Sequence, residues 1–185
     1  MAQQLTPAQF VAKWKPVELS ERAASHEHFI DLCRLLSQPT PAEQDATGVE
    51  YTFEKGVTPT AGASRGAAGE RGFADVWWRG KFGWEYKRKD KYRDLVEAYR
   101  QLCQYREALD NPPLLIVSDI AHTEIHTNFT GTAKQIHAVT LDELADARGL
   151  GLLRRVFTDT DPFGPNKSTA LLLRWKTTAR GNGCG

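Results

Sequence analysis

The chain has 185 residues, with 24 lysines and arginines against 23 aspartates and glutamates, 41% hydrophobic residues and a formal net charge of +1. That is enough for one ordinary domain and too little for two, and the balance excludes a disordered or collagen-like chain. No run of 18 apolar residues occurs, which excludes a membrane-spanning helix, and the stretch from Met1 to Pro16 lacks the apolar core of a signal peptide. Cys33, Cys103 and Cys184 lie far apart with no CxxC pair. Such usage fits a reducing, cytoplasmic setting and argues against a disulfide scaffold or a structural zinc.

In chain order, the first expected helix runs from Ala23 to Leu36. Phe29, Leu32, Cys33 and Leu36 recur at three- and four-residue spacing, with Glu27, Asp31 and Arg34 toward solvent. Thr40-Pro41-Ala42-Glu43 predicts a short helix, with a threonine cap, proline at the first helical position and glutamate three residues past the cap. Gly48 to Glu54 alternates as a strand. Gly56 to Gly72 holds five glycines in seventeen residues without Walker spacing, and reads as a loop at one edge of the domain.

The next segment predicts a hairpin: strand Phe73–Trp78, turn Arg79-Gly80-Lys81, strand Phe82–Lys87. Phe82, Trp84 and Tyr86 should face one way and Gly83, Glu85 and Lys87 the other. Trp77 and Trp78, as strand neighbours, should pack into different layers. A helix capped by Asp90 should run to about Leu109 and stop at Asn111-Pro112-Pro113. Leu114 to Val117 is continuously apolar, the mark of a strand covered on both faces. A strand over Glu124–Phe129 and a helix over Leu141–Arg148, opened by the Thr140/Glu143 capping box, complete the series. A hairpin is antiparallel and a helical crossover returns a strand in parallel, so the expected fold is α/β, a mixed central sheet flanked by helices.

Asp75, Glu85 and Lys87 form a D-x9-E-x-K pattern across that hairpin. The period of two puts Glu85 and Lys87 on one face, and a tight hairpin can bring Asp75 across from them. Two converging carboxylates suit a hard divalent ion such as magnesium, which polarises a phosphate and generates the attacking hydroxide. A lysine beside them can offset charge on the phosphoryl oxygens. From Arg79 to Arg93 there are seven basic residues and two acidic ones, and Lys89, Lys91 and Arg93 stand where a phosphate backbone needs them. The same pattern also fits the solvent side of an ordinary hairpin with a Glu–Lys pair. The histidines offer one ligand-like spacing, His122 and His126, but the local alternation there favours a strand.

The arrangement resembles the PD-(D/E)xK nuclease superfamily, whose core is a helix, three strands, a helix and a strand. The resemblance implies that Asp75, on the second core strand, and Glu85 of E-x-K bind the metal, with the backbone carbonyl of Tyr86 as a third ligand and Lys87 in the catalytic role. It further implies a Q-x3-Y pair, Gln101 and Tyr105, approaching the site and the DNA, and a first-helix glutamate near the metal, for which Glu27 and Glu21 are candidates. More closely, the chain from Phe10 to about Val156 is similar to the N-terminal nuclease region of the MmeI-like restriction enzymes. The similarity rests on Glu27-His28-Phe29-Ile30-Asp31-Leu32-Cys33, Tyr51-Thr-Phe-Glu54, Gly72-Phe-Ala-Asp75-Val-Trp-Trp78, Phe82-Gly-Trp-Glu-Tyr-Lys87, Tyr99 to Tyr105 and Leu114 to Asp119.

That resemblance implies a magnesium-dependent endonuclease domain cutting double-stranded DNA, with manganese able to substitute. In this family the nuclease is joined to a helical spacer, an adenine methyltransferase and a target-recognition domain. This chain carries no adenosylmethionine motif of its own, since Asn111-Pro112-Pro113-Leu114 precedes an apolar strand and lacks the aromatic. The expected division is a nuclease-like domain over residues 1–157, with its loop at 56–72, and a tail over 158–185 that reads as the start of a spacer or as a frayed terminus. Two other readings stand beside the nuclease. One is a nucleic-acid-binding or assembly module with a vestigial or partner-dependent site, and the other is an α/β domain without a DNA role.

Overall fold

A computed structural model describes residues 5–18, 21–57, 72–87 and 92–164. The helices are α1 (Pro7–Trp14), α2 (Glu21–Leu36), α3 (Pro41–Gln44), α4 (Tyr92–Tyr105) and α5 (Ala147–Thr158). The strands are β1 (Tyr51–Val57), β2 (Gly72–Trp78), β3 (Phe82–Tyr86), β4 (Leu114–Ser118), β5 (His122–Thr127) and β6 (Ile136–Thr140). They form one six-stranded sheet in chain order. Every neighbouring pair is antiparallel except β3 and β4, which α4 connects in parallel. This mixed sheet between helices is the α/β architecture expected, and it is consistent with a restriction-endonuclease-like fold.

Local chemistry sets the element ends. Thr6 with Gln9 and Thr40 with Glu43 form reciprocal capping boxes, each followed by proline at the first helical position. Between β2 and β3 the chain reverses at Gly80, whose φ of 69° suits a residue without a Cβ. After α4, Asp110 and Asn111 take left-handed backbone ahead of Pro112, the stop expected there.

The sheet separates two apolar clusters. On one face α1, α2 and α5 bring Phe10, Trp14, Phe29, Leu32, Leu36 and Phe157 onto Phe82, Trp84 and Tyr86. On the other, Leu95, Ala98 and Leu102 of α4 cover Trp77, Leu115 and Val117. Trp77 and Trp78 divide between the layers as expected. Trp77 donates from Nε1 to the Leu109 carbonyl at 2.8 Å, while Trp78 stacks on Tyr51 with ring centroids 4.1 Å apart.

Several expectations needed correcting. Asp31 is buried, not solvated, because Trp14 Nε1 at 3.2 Å and Lys13 Nζ at 2.7 Å both bind its Oδ2. The Thr140/Glu143 capping box exists, but it opens a single 3-10 turn over Asp142–Ala145, and the long helix starts afresh at Ala147. The strand expected over Glu124–Phe129 begins two residues earlier, at His122. α1, β6 and α5 were not expected: α5 sets Phe157 against Phe29 and Trp78, distant in sequence, and β6 buries only Val139 beside its chain neighbour β5. The packed chain continues to Phe163, whose ring meets His137 at 5.3 Å. The loop expected over Gly56–Gly72 is strand at both ends, with Gly56 and Val57 in β1 and Gly72 in β2, and residues 58–71, the Asp90 cap and the tail from 165 lie outside the described residues.

Candidate active site at the fork between β2 and β3

The hairpin ladder runs from Trp78↔Phe82 to Val76↔Trp84 and ends there. Beyond that point, among the described residues, β2 pairs only with β1, through Lys55↔Ala74 to Val57↔Gly72. β3 pairs only with β4, through Glu85↔Val117 and Tyr86↔Ser118. The two strands therefore part at Asp75 and Glu85, the residues the next rung would have joined.

A second distortion sits directly across. The β1–β2 register would place Glu54 opposite Asp75, but the pairing skips this rung, and Glu54 has a φ of 49°. Left-handed backbone in a non-glycine residue inside a strand is strained. Side-chain facing also changes here. Tyr51 and Val76 pack in the α2 cluster, whereas Val57 and Ala74, of the same parity, pack in the α4 cluster. Asp75 occupies the point of reversal.

The signature residues are tied together at this fork. Asp75 Oδ2 accepts a 2.6 Å hydrogen bond from the backbone N–H of Tyr86. Lys87 Nζ lies 2.9 Å from Glu85 Oε1, with the two side chains only 18% and 5% exposed. That degree of burial departs from a solvated hairpin pair and strengthens the attraction between them. The Lys87 N–H donates to the Ser118 carbonyl at 2.7 Å, which fixes this strand end to β4. Tyr86, between the two charged residues, points into the opposite layer, where its hydroxyl lies 2.8 Å from His28 Nδ1.

The other expected residues are placed as follows. Glu27 is exposed on α2 and bound by Lys13 at 2.6 Å, and that lysine also holds Asp31. The two carboxylates raise the Lys13 pKa, Asp31 more than Glu27. Tyr105 lies half-buried at the end of α4 with its hydroxyl end over Gly72, where a Cβ would come within 2.2 Å of the ring. Gln101, one turn earlier, is half-buried on the same helix. Lys89 and Lys91 lie outside the described residues, as do the side chains of Glu21 and Arg93.

Two histidines without an expected catalytic role have defined partners in the layers on either face of the sheet. His28 is buried among Phe10, Trp14 and Tyr86, and desolvation pushes its pKa down to about 3, with help from Lys13. Its signal was a histidine within the apolar stretch of α2. Two strands from Glu85, His126 Nε2 lies 3.0 Å from Glu124 Oε2 and its ring stacks on Tyr99 at 4.0 Å. Both histidines expected on a strand do stand on one, β5.

The donor chemistry at the fork fits a hard divalent ion. Asp75 and Glu85 would offer carboxylate oxygens from adjacent strands, and the Tyr86 carbonyl lies between Glu85 and Lys87 in sequence. Among the described residues, no three His, Cys, Asp or Glu side chains group as a metal-binding set. No helix among the described residues is long and apolar enough to cross a membrane.

No curated protein and no solved structure matches the chain. A family model does: the MmeI N-terminal domain matches residues 3–161, which takes in every described element up to α5 and the fork itself. By this match the chain belongs to the MmeI N-terminal domain family and is a restriction-enzyme-related domain.

Proposed function

We propose that this domain is a magnesium-dependent deoxyribonuclease that hydrolyses phosphodiester bonds of double-stranded DNA, with its site at the fork between β2 and β3. The observation that carries the reading is the parting of the strands at Asp75 and Glu85, with Lys87 held 2.9 Å from Glu85. Asp75, Glu85 and the Tyr86 carbonyl would hold Mg2+, or Mn2+ in its place, which when bound polarises the scissile phosphate and acidifies a water. Asp75 is oriented for this by the Tyr86 N–H. Lys87 offsets charge gathering on the phosphoryl oxygens, and its partial desolvation makes that effect larger than in water. Attack by the water oxygen on phosphorus breaks the bond to the 3′ oxygen, which leaves as a hydroxyl, so the product carries a 5′-phosphate.

Lys89, Lys91 and Arg93 would meet neighbouring phosphates, each contact adding about 0.9 to the slope of log affinity against log salt. Gln101 and Tyr105 would support the site from α4. Membership of the MmeI family points to methyltransferase and target-recognition domains as the partners that direct cleavage. A second reading, an assembly module whose site works only with such partners, draws on the way Glu85 and Lys87 already bind one another within the domain.

The test is plasmid nicking with magnesium, manganese or EDTA, using wild type, Asp75→Asn and Lys87→Ala. Nicking that needs metal and is lost in both variants supports the nuclease. Nicking that survives both substitutions refutes the site. A wild type inert with every metal favours the partner-dependent module.

A further inference from the structure

We propose that His28 is a positioning residue for the candidate site, acting through Tyr86, an inference that rests on the nuclease reading of the fork. Tyr86 is the residue between Glu85 and Lys87, and it is pinned at three points. Its backbone N–H binds Asp75 at 2.6 Å, its ring stacks on Trp84 with centroids 5.8 Å apart, and its hydroxyl meets His28 Nδ1 at 2.8 Å. Beyond Val76↔Trp84 the β3 arm has lost its rungs to β2. What then sets the angle of Glu85, of the Tyr86 carbonyl and of Lys87 is the pairing with β4 on one side and the anchor of Tyr86 beneath.

His28 supplies that anchor from α2. It is a costly residue for its position: its ring is buried, and Nε2 has no hydrogen-bond partner among the described residues. An apolar side chain of similar size would fill the space between Phe10 and Trp14 without leaving a polar atom unmet. What the imidazole adds is a grip on the Tyr86 hydroxyl. Imidazole and phenol share one hydrogen bond whichever of them carries the proton. Through it, the helix packed against α1 controls the strand end that carries the charged pair on the opposite face of the sheet. His28 lies beneath Tyr86, on the face of the sheet opposite Glu85 and Lys87, and acts through the residue between them.

Four variants of the full chain test this: Tyr86→Phe, which removes only the hydroxyl, His28→Leu, the double variant, and His28→Gln, which restores a hydrogen-bonding group. Amide exchange by NMR is read at Tyr86 and Lys87, with Ile125 as a distant reference. The expected result is exchange at Tyr86 and Lys87 about five- to tenfold faster in each single variant, the factor for one buried neutral hydrogen bond. Ile125 should not change, the double variant should be no worse than either single, and His28→Gln should recover protection. Nicking should fall in kcat with an unchanged KM for DNA. Exchange at Tyr86 and Lys87 equal to wild type, or additive effects in the double variant, would overturn the proposal. Should His28→Leu fail to fold, Tyr86→Phe decides it alone. The nuclease reading fails separately, if wild type nicks no DNA or Glu85→Gln nicks as well as wild type. The exchange data decide the anchoring role in either event.

Discussion

The backbone N–H of Tyr86 donates to Asp75 Oδ2 across 2.6 Å, so the acid on β2 is bound to the strand end that carries Glu85 and Lys87. A side chain here takes an N–H that a continuing β2–β3 ladder would have given to a backbone carbonyl. Structure and proposed chemistry therefore make different demands on one carboxylate. The hydrogen bond needs an acceptor oxygen, and the metal needs a negative charge. Asp75→Asn should keep most of the stability, because the amide carbonyl still accepts, yet lose cleavage. Asp75→Ala should lose both, with a stability cost of about 1.5–3 kcal/mol for a hydrogen bond to a charged group. Urea unfolding beside plasmid nicking separates the two demands, and equal stability of the two variants would contradict it.

Lys87→Ala should now cost more than a surface substitution. The Glu85 carboxylate it meets is only 5% exposed, and removing a partner from a mostly buried pair leaves charge poorly compensated. The expected loss is about 1–3 kcal/mol of stability together with a 100-fold or greater fall in cleavage, the order seen when a transition-state electrostatic partner is removed. Chemical denaturation and single-turnover nicking of the same preparation check the two halves.

Glu54 offers the opposite sign. Its φ of 49° is strained for any residue with a Cβ, and its contact with His26, at 3.9 Å between exposed side chains, is worth little. Glu54→Gly should raise stability by about 1 kcal/mol, and Glu54→Val, β-branched, should lower it. Thermal unfolding of the three proteins tests the order.

Gly72→Ala should push against Tyr105, whose ring would lie 2.2 Å from the new Cβ. The ring must swing away, at a cost of about 1–3 kcal/mol. In a Tyr105→Ala background the same substitution should cost much less. Urea unfolding of the four proteins measures that coupling, and additive effects would mean the two residues do not meet.

The pH dependence follows from His28. Its folded pKa of about 3 lies below the ordinary 6.5, because burial disfavours the charged ring. Above pH 6.5 the imidazole is neutral in both states and adds no pH dependence. As pH falls from there toward 3 the unfolded chain binds a proton that the folded chain refuses, so stability is lost across that window. At pH 4.5 the loss is about 2–3 kcal/mol. Lys13 and Asp31, from α1 and α2, and Tyr86, from β3, are the charged and titratable groups around it, and Lys13 acts in the same direction as burial. His126, also lowered by desolvation, adds to the slope. His28→Leu should flatten the fall between pH 6.5 and 4.5 without abolishing it, as read from urea midpoints.

Much of this was legible from residues alone, for local reasons. The capping boxes at Thr40 and Thr140, the reversal at Gly80, the stop at Asn111 and the apolar run of β4 each depend on neighbours within a few positions. The split of Trp77 and Trp78 between two layers follows from the pleat. Helix α5 and strand β6 were not legible. The apolar residues of α5 meet partners far along the chain, Phe29 and Trp78 for Phe157, whereas β6 pairs with its chain neighbour β5 but buries only Val139, so it carries no clear alternation. Asp31 was misplaced because a carboxylate reads as solvated until a Trp14 indole and a Lys13 ammonium are known to reach it.

Which residues stand at the candidate site could be read from spacing, since Asp75, Glu85 and Lys87 lie on two short strands joined by a three-residue turn. The period of two placed Glu85 and Lys87 together, and that placement holds. The separation of the strands between Asp75 and Glu85, the kink at Glu54 opposite and the reversal of side-chain facing along β1 and β2 emerge from the assembled sheet. A period-two argument assumes an unbroken ladder, and the ladder breaks here because β2 continues with β1 while β3 continues with β4. That choice of neighbours is made by packing on both faces of the sheet, which no stretch of a few residues encodes.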